Sequence, residues 1–452
     1  ISAANWDALL IGWAAQGTGA GSLQANVTLS NINQLHGSVD SAATAAYNKL
    51  TSAPYNWTIV DLGGAPVGNL LLDTSYGSGA EAAYSVRKLR TAYTGPAMKV
   101  QDTVGGATQD IYFDANNNLD EAAIISYGGS NDVFVETWYD QSINGNDATQ
   151  GTSANRPKIY DGTTGALVKE SGKVAIDFDG SNDNFDNSTV TLTSNDTLIS
   201  VVSKIETTST AVNIFDSSES NKFFLQIDAS KNFQFSNGSG TNLNHKNDGF
   251  RYLTSLDFNG ATLKSYFNGY NTKTATVSNQ SRSGLRIGKH RESSAGWIDG
   301  TMQELIYWNQ NKNANHTSIE SNVGDYFTQN TPLLDTYTGA AAAYSLRKLS
   351  SSYSGSAIRV RRSSDNTEQD INFNVFGELD TVSLLDFAGA GDAFVKTWYS
   401  QTGSNDATQT ATGSQPKIVS SGAVITENGK PAVQFDGSND FVATSDFTAE
   451  AQ

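Results

Sequence analysis

Hydrophobic residues follow two periods along the chain. Near its start Trp6, Leu9, Leu10 and Trp13 recur at i, i+3, i+4 and i+7 behind Ser2, a residue able to cap the free amides of a helix. A second helix is predicted from Ser41 to Leu50. Tyr55-Asn56-Trp57-Thr58-Ile59-Val60 follows as a short strand by its aromatic and β-branched content, ended by the breaker Gly63-Gly64. Further on, the period becomes that of strands: Phe134 to Tyr139, Ala175 to Phe178, Leu198 to Val202, Phe223 to Ile227, Leu263 to Phe267 and Gly300 to Trp308. Asn268-Gly269 is a hairpin turn signal. Two segments break this pattern. Ala80 to Leu89 has a helix-forming composition, with Tyr84, Val86 and Leu89 free to anchor it on a sheet, and Ile319, Val323 and Phe327 share one face of a helix that ends the module.

The chain also repeats itself. Ala83-Tyr84-Ser85-Val86-Arg87-Lys88-Leu89 returns about 260 residues later as Ala343-Tyr344-Ser345-Leu346-Arg347-Lys348-Leu349. The same order continues in Gln109-Asp110-Ile111 and Gln369-Asp370-Ile371, in Thr137-Trp138-Tyr139 and Thr397-Trp398-Tyr399, and in Asn146-Asp147-Ala148-Thr149-Gln150 and Asn405-Asp406-Ala407-Thr408-Gln409. It ends with Pro157-Lys158-Ile159 and Pro416-Lys417-Ile418, then Phe178 to Asp183 and Phe435 to Asp440. Three units follow: 1–64, 65–330, and 331–452 as the first half of a second copy. A sandwich lacking half its strands exposes open edges, so the expectation is that the native chain continues past Gln452, the alternative being a partner that completes the fold.

Composition narrows the function. Abundant Gly, Asn, Ser and Thr with 17% charged residues describe short strands joined by turns, a mainly β fold. A formal net charge of −17 repels phosphate backbones and anionic lipid surfaces, which argues against nucleic acid and membrane insertion. Without cysteine there is no disulfide framework and no thiolate nucleophile or metal ligand. The chain begins at Ile1, with neither a signal-peptide core nor an 18-residue apolar run.

Ala4 to Trp13, Ala42 to Leu50 and Tyr55 to Ile59 resemble the terminal unit of a BspA-like leucine-rich repeat array. Its place in such a solenoid implies that Trp6 and Trp13 are partly exposed. Residues 178–330 resemble a laminin-G-like, concanavalin-type jelly roll, opening at Phe178-Asp179-Gly180-Ser181-Asn182-Asp183 and closing at Gly300 to Trp308. Tyr84 to Leu89, Asp110-Ile111, and Trp138-Tyr139-Asp140-Gln141-Ser142 through Gly145-Asn146-Asp147 also resemble the arabinofuranosidase B-type catalytic domain. Together these imply tandem concanavalin-like sandwiches behind a small α/β leucine-rich-repeat cap. The combination resembles large Bacteroidetes-type surface proteins, including gliding and biofilm adhesins exported by type IX secretion. The implied function is a non-catalytic adhesin at the cell surface, binding an extracellular polysaccharide or glycoprotein with avidity from repeated modules. A retaining glycoside hydrolase of arabinofuranosidase type and a phage tail receptor-binding protein are the alternatives.

Candidate chemistry lies in the turns. Asp140, Asn146, Asp147, Asp179, Asn182, Asp183, Asp436, Asn439 and Asp440 place short oxygen-bearing side chains where they could converge on Ca²⁺. The same residues are also the natural choice for tight turns, through left-handed backbone tolerance and local hydrogen bonds. Tyr270 and Trp297, in turn-rich segments, could stack on the apolar face of a sugar. Trp138 and Trp398 are expected in the core, and the four histidines at the surface. A hydrolase would need two carboxyls about 5 Å apart; Glu304 with Asp257 or Asp299 is one pair, but no Asp and Glu of this chain map onto the family's catalytic positions. The family's neighbouring sugar-pocket cysteines have no counterpart here.

Overall fold

Strand periodicity dominates from residue 82 onward. The computed structural model describes residues 3–15, 27–29, 46–47, 49–50, 58–59, 70–104, 106–206, 210–219, 223–238, 240–291, 296–328 and 332–444. The chain is mainly β. In the first unit, Thr197–Ile205 runs antiparallel between Arg251–Asn259 and Asp299–Trp308. Arg251–Asn259 continues the row through Thr262–Phe267 to Tyr270–Thr276, across the expected Asn268-Gly269 turn, whose φ values of 52° and 90° fit the hairpin geometry. A second row runs from Phe185–Thr193 through Ser281–Ile287, Val212–Asp216, Phe224–Ile227 and Asn232–Ser236 to Gly240–Lys246. Both rows feed one hydrophobic cluster that includes Leu198, Val202, Leu253 and Leu305 from the first, and Phe215, Leu225, Phe235 and Ile287 from the second.

Asp299–Trp308 is shared by three strands. Opposite Thr197–Ile205 it pairs with Ile176–Asp179 along its first half and with Ala82–Ser85 along its second. The helix expected over Ala80 to Leu89 is therefore a strand: Ala82 to Ser85 are all buried, and their backbone groups are taken by Glu304 to Tyr307. A segment buried in this way follows its sheet neighbours over the helix preference of its alanines. Arg87, just beyond that strand, is buried and grips Glu304 with two parallel bonds, Nε to Oε2 at 2.8 Å and Nη2 to Oε1 at 3.1 Å. Ser85 Oγ donates to the same carboxylate at 2.7 Å. Gln141 completes the clasp, its amide donating to the Arg87 carbonyl and accepting from the Leu89 amide. The closing helix His316–Phe327 buries Ile319, Val323 and Phe327, as its period predicts.

The second unit repeats the first half of this plan. Asp120 caps the helix Glu121–Gly128 and Asp380 caps Thr381–Ala388 through the same bond, to the amides of Ala123 and Ser383. Gln401 repeats the Gln141 clasp on Arg347 and Leu349. No counterpart of Asp299–Trp308 is present in residues 332–444, and the consequences are local. Residues 342–345 form no strand, Arg347 is exposed, and Phe435 is 47% exposed where its counterpart Phe178 is fully buried. Trp138 is core, as expected; Trp398 is only half-buried.

A leucine-rich repeat unit over 1–64 is not shown. Its described residues are the helix Ala3–Ala15, helical residues at 46–47 and 49–50, and a two-residue parallel pair, Thr28–Leu29 with Thr58–Ile59. Trp6, expected partly exposed, is 1% exposed, in a cluster with Leu10, Ala14, Ala46 and Leu50, and its ring lies 6.2 Å from that of half-buried Trp13. The cluster covers Trp6 itself, without a further repeat. The expected Ser2 cap and the Gly63-Gly64 breaker lie outside the described residues. No helix among the described residues is long and apolar enough to cross a membrane.

The Arg87–Glu304 clasp gives a direct test. Replacing Glu304 with Ala leaves a buried guanidinium uncompensated and should cost about 3–5 kcal/mol in urea unfolding. Arg347→Ala, which lacks that partner, should cost no more than about 0.5 kcal/mol.

Candidate active site

Two carboxylates with opposite shifts lie three residues apart at the end of one strand. Asp216 ends Val212–Asp216, and its side chain is fully buried. One oxygen accepts the Ser217 amide at 2.8 Å; the other accepts the Arg291 amide at 3.1 Å and Arg291 Nη1 at 3.3 Å. Burial outweighs these contacts and pushes the Asp216 carboxyl up to about 6. Glu219 is part-exposed. Its Oε1 accepts the Ser283 amide at 3.0 Å, and bonding to Ser283 holds its carboxyl below the usual range.

The partners come from the loop between Ser281–Ile287 and Asp299–Trp308. Gly288 and Gly296, at φ of 85° and 87°, bracket it, and at Gly296 a side chain would lie 3.0 Å from the His290 Cβ. Arg291 is held at its carbonyl by Arg286 Nη1 at 2.6 Å, and Arg286 pairs with Asp186. His290 lies against Phe224, ring centroids 6.3 Å apart, and Lys289 Nζ sits 4.6 Å over the Trp297 ring. Asn213, whose amide donates to the Gly296 carbonyl, keeps a buried side-chain NH₂ with no partner. The loop thus meets Val212–Asp216 at both ends, Gly296 at Asn213 near its start and Arg291 at Asp216 where it stops.

No protein-family model and no curated protein matches the sequence. Among solved structures, the fold is similar to a glutamate-to-glutamine mutant of a GH54 α-L-arabinofuranosidase soaked with 4-nitrophenyl α-L-arabinofuranoside, at 13% identity and TM-score 0.44, over 81% of this chain and 85% of that one. An arabinofuranosidase complexed with arabinofuranosyl-α-1,2-xylobiose matches at 13% identity and TM-score 0.43, over 79% and 83%. A Trypanosoma rangeli sialidase with sialic acid matches at 14% identity and TM-score 0.31, over 43% and 32%. These are sugar-cleaving enzymes. The expectation of a BspA-like leucine-rich repeat protein and non-catalytic adhesin, with its gliding-motility and type IX secretion setting, does not stand against them.

Of the two aromatic residues predicted from sequence, Trp297 belongs to this cluster. Tyr270 does not: its hydroxyl donates to Asp386 Oδ2 at 2.9 Å, so it faces the second unit. Glu304 is held by Arg87, Asp257 is buried, and Asp299 stands exposed at the start of its strand. In the turns, Asp140 accepts the amides of Ala83, Ser142 and Asn146, and Asp147 accepts that of Asp140. Asn146 donates to the Glu81 carbonyl. Asp179 accepts the amides of Ser181 and Asn182, and Asp183 that of Asp179, a pattern copied by Asp436, Asn439 and Asp440. No group of three or more His, Asp or Glu among the described residues is arranged to hold a metal ion. His245, expected at the surface, is buried against Phe233, Tyr252 and Phe267, which pushes its pKa down to about 3. Asp216, Glu219, His290 and Arg291 were not legible from the sequence; the paired glycines at 288 and 296 are the one local signal.

The sign of the Arg291 contact can be measured. A carbon-13 titration of the Asp216 carboxyl should show a midpoint near 6. In Arg291→Met the midpoint should move higher, because the cation that favours the charged form is gone.

Proposed function

We propose that the chain is a glycoside hydrolase of the retaining type, acting on an arabinofuranosyl linkage of an extracellular polysaccharide. The observation that carries this reading is the opposed pair at one strand end, Glu219 held below the usual carboxylate range by its Ser283 bond and Asp216 raised by burial to about 6. Glu219 is the nucleophile, attacking the anomeric carbon to form a glycosyl ester, and Asp216 is the source of the proton for the departing oxygen. Water then hydrolyses the ester as Asp216 takes the proton back. Trp297, half-buried at the same loop, offers an apolar face for the sugar ring. The resemblance of the Tyr84 to Leu89 and Trp138 to Asp147 segments to the arabinofuranosidase B-type domain supports the choice of sugar.

The same reading assigns residues 65–330 to a concanavalin-like jelly roll and 331–452 to the first half of a second. The two facing strand rows and the shared Gln141 and Gln401 clasps support it.

The test is hydrolysis of 4-nitrophenyl α-L-arabinofuranoside. Glu219→Gln should lower kcat by about 10³-fold or more, and the wild-type rate should fall as pH rises through about 6, where Asp216 gives up its proton. Undiminished turnover in Glu219→Gln would refute the assignment.

A further inference from the structure

A cleft of about 1950 Å³ opens between the first and second units. Its lining contradicts the charge of the whole molecule. The chain carries a formal charge of −17, yet the cleft presents eight lysines and arginines against three acidic residues, Glu170, Asp325 and Glu378. Three of the cations are neutralised: Arg87 by Glu304, Lys204 by Glu170 and Glu206, and Lys430 by Glu378. Among the described residues Lys88, Lys173, Arg251, Arg347 and Lys348 form no ion pair, and of the three acids of the lining Asp325 alone is not engaged in one.

Arg251 is the most informative of these. It is 4% exposed, its guanidinium lies 4.0 Å over the Phe376 ring of the second unit, and Nη1 donates to the Phe327 carbonyl at 3.1 Å. Nε and Nη2 have no partner. Leaving buried guanidinium donors unmade is costly, and a planar fork of N–H groups matches an oxyanion. Lys173, more than half-buried, holds its ammonium 4.4 Å over the Tyr326 ring, and burial lowers its pKa. Both cations are thus held at the cleft wall by aromatic faces rather than by carboxylates, which leaves their charge available. Arg347 and Lys348 approach from the second unit.

We propose that this cleft binds an oxyanion carried on a saccharide, a uronate carboxylate or a sulfate ester, between Arg251 and Lys173 of the first unit and Arg347 and Lys348 of the second. The saccharide carrier rests on the carbohydrate reading above; the oxyanion site does not.

Calorimetry on the full chain tests this with four probes: an oligogalacturonate, a sulfated galacto-oligosaccharide, inorganic sulfate and a neutral arabino-oligosaccharide. One of the two charged saccharides should bind, more tightly than inorganic sulfate, and weaken steeply with salt, because the contacts are ionic. The double variant Lys173→Gln/Lys348→Gln should weaken it by about 10-fold or more while arabinofuranoside hydrolysis is unchanged. Arg251→Lys should weaken it further in a protein whose circular dichroism matches the wild type. Absence of binding by both charged saccharides, or equal affinity in the double variant, would overturn the site. Inorganic sulfate binding as tightly as the saccharides would overturn the glycan carrier. Failure of hydrolysis with oxyanion binding intact would sink only the catalytic reading.

Discussion

The first unit depends on one buried strand that three others must share. Asp299–Trp308 pairs with Thr197–Ile205 on one side and with Ile176–Asp179 and Ala82–Ser85 on the other, so it joins segments more than two hundred residues apart. Long-range pairing of this kind has a high loop-closure cost, and hydrogen bonding along one strand edge offers little choice of register by itself. The Arg87 fork on Glu304 supplies that choice. A bidentate pair inside the protein tolerates no slip, because moving the strand by one residue would turn Glu304 to the opposite face and leave the guanidinium alone. The repeated Tyr-Ser-x-Arg-Lys-Leu motif is thus explained by what it grips. Tyr84 donates to the Asn146 carbonyl, Ser85 and Arg87 take Glu304, and Gln141 ties down the backbone on either side.

That frame positions the opposed carboxylates. Val212–Asp216 and Ser281–Ile287 are neighbours in the second row, and Ser281–Ile287 leads through the Gly288 to Gly296 loop into the shared strand. Arg291, just beyond Ser281–Ile287, meets Asp216 at the end of the neighbouring strand. On the proposed hydrolase reading this is the expected arrangement, since strands give precision and the loops that leave them give variety. The difference in ionisation needs no special residue. It follows from burial at Asp216, which raises its carboxyl, and from the Ser283 bonds at Glu219, which lower its own.

Alternation made most strands of the first unit legible in the sequence, because each has a wet and a dry face or a continuous apolar run. It failed at Ala82–Ser85, where small residues buried on both faces look like a helix until their partner strand is known. The duplication was legible because its blocks carry turn and clasp residues that bear little variation. The opposed pair was not legible, for a different reason. Asp216 meets Arg291 across 75 residues, and nothing in Asp-Ser-Ser-Glu separates it from the other carboxylates of a chain that holds 46 Asp and Glu. The turn-rich setting that singled out Trp297 and Tyr270 says nothing of their neighbours: Trp297 lies under Lys289, and Tyr270 faces the second unit. Residues 1–64 show the opposite error: aromatic and leucine spacing matched a repeat family, but spacing alone does not say whether Trp6 is covered by its own chain.

The two copies together show how one motif comes to serve two purposes. At the turn after the central strand, Asp140 of the first copy accepts the Ala83 amide, and Ser400 of the second accepts the equivalent Ala343 amide at 3.2 Å. The exchange is tolerated because that position needs only an oxygen. The arginine is another matter. In the first copy its charge is consumed by Glu304; in the second, no strand supplies that carboxylate, and Arg347 turns to solvent at the edge of the cleft. Phe376 and Val382 meanwhile join the first unit's hydrophobic cluster, and Phe376 lies beneath the Arg251 guanidinium. The second copy therefore contributes both the apolar contact that seats it and the cations that face the first unit, and a basic cleft in an acidic protein follows from a repeated motif without its carboxylate partner.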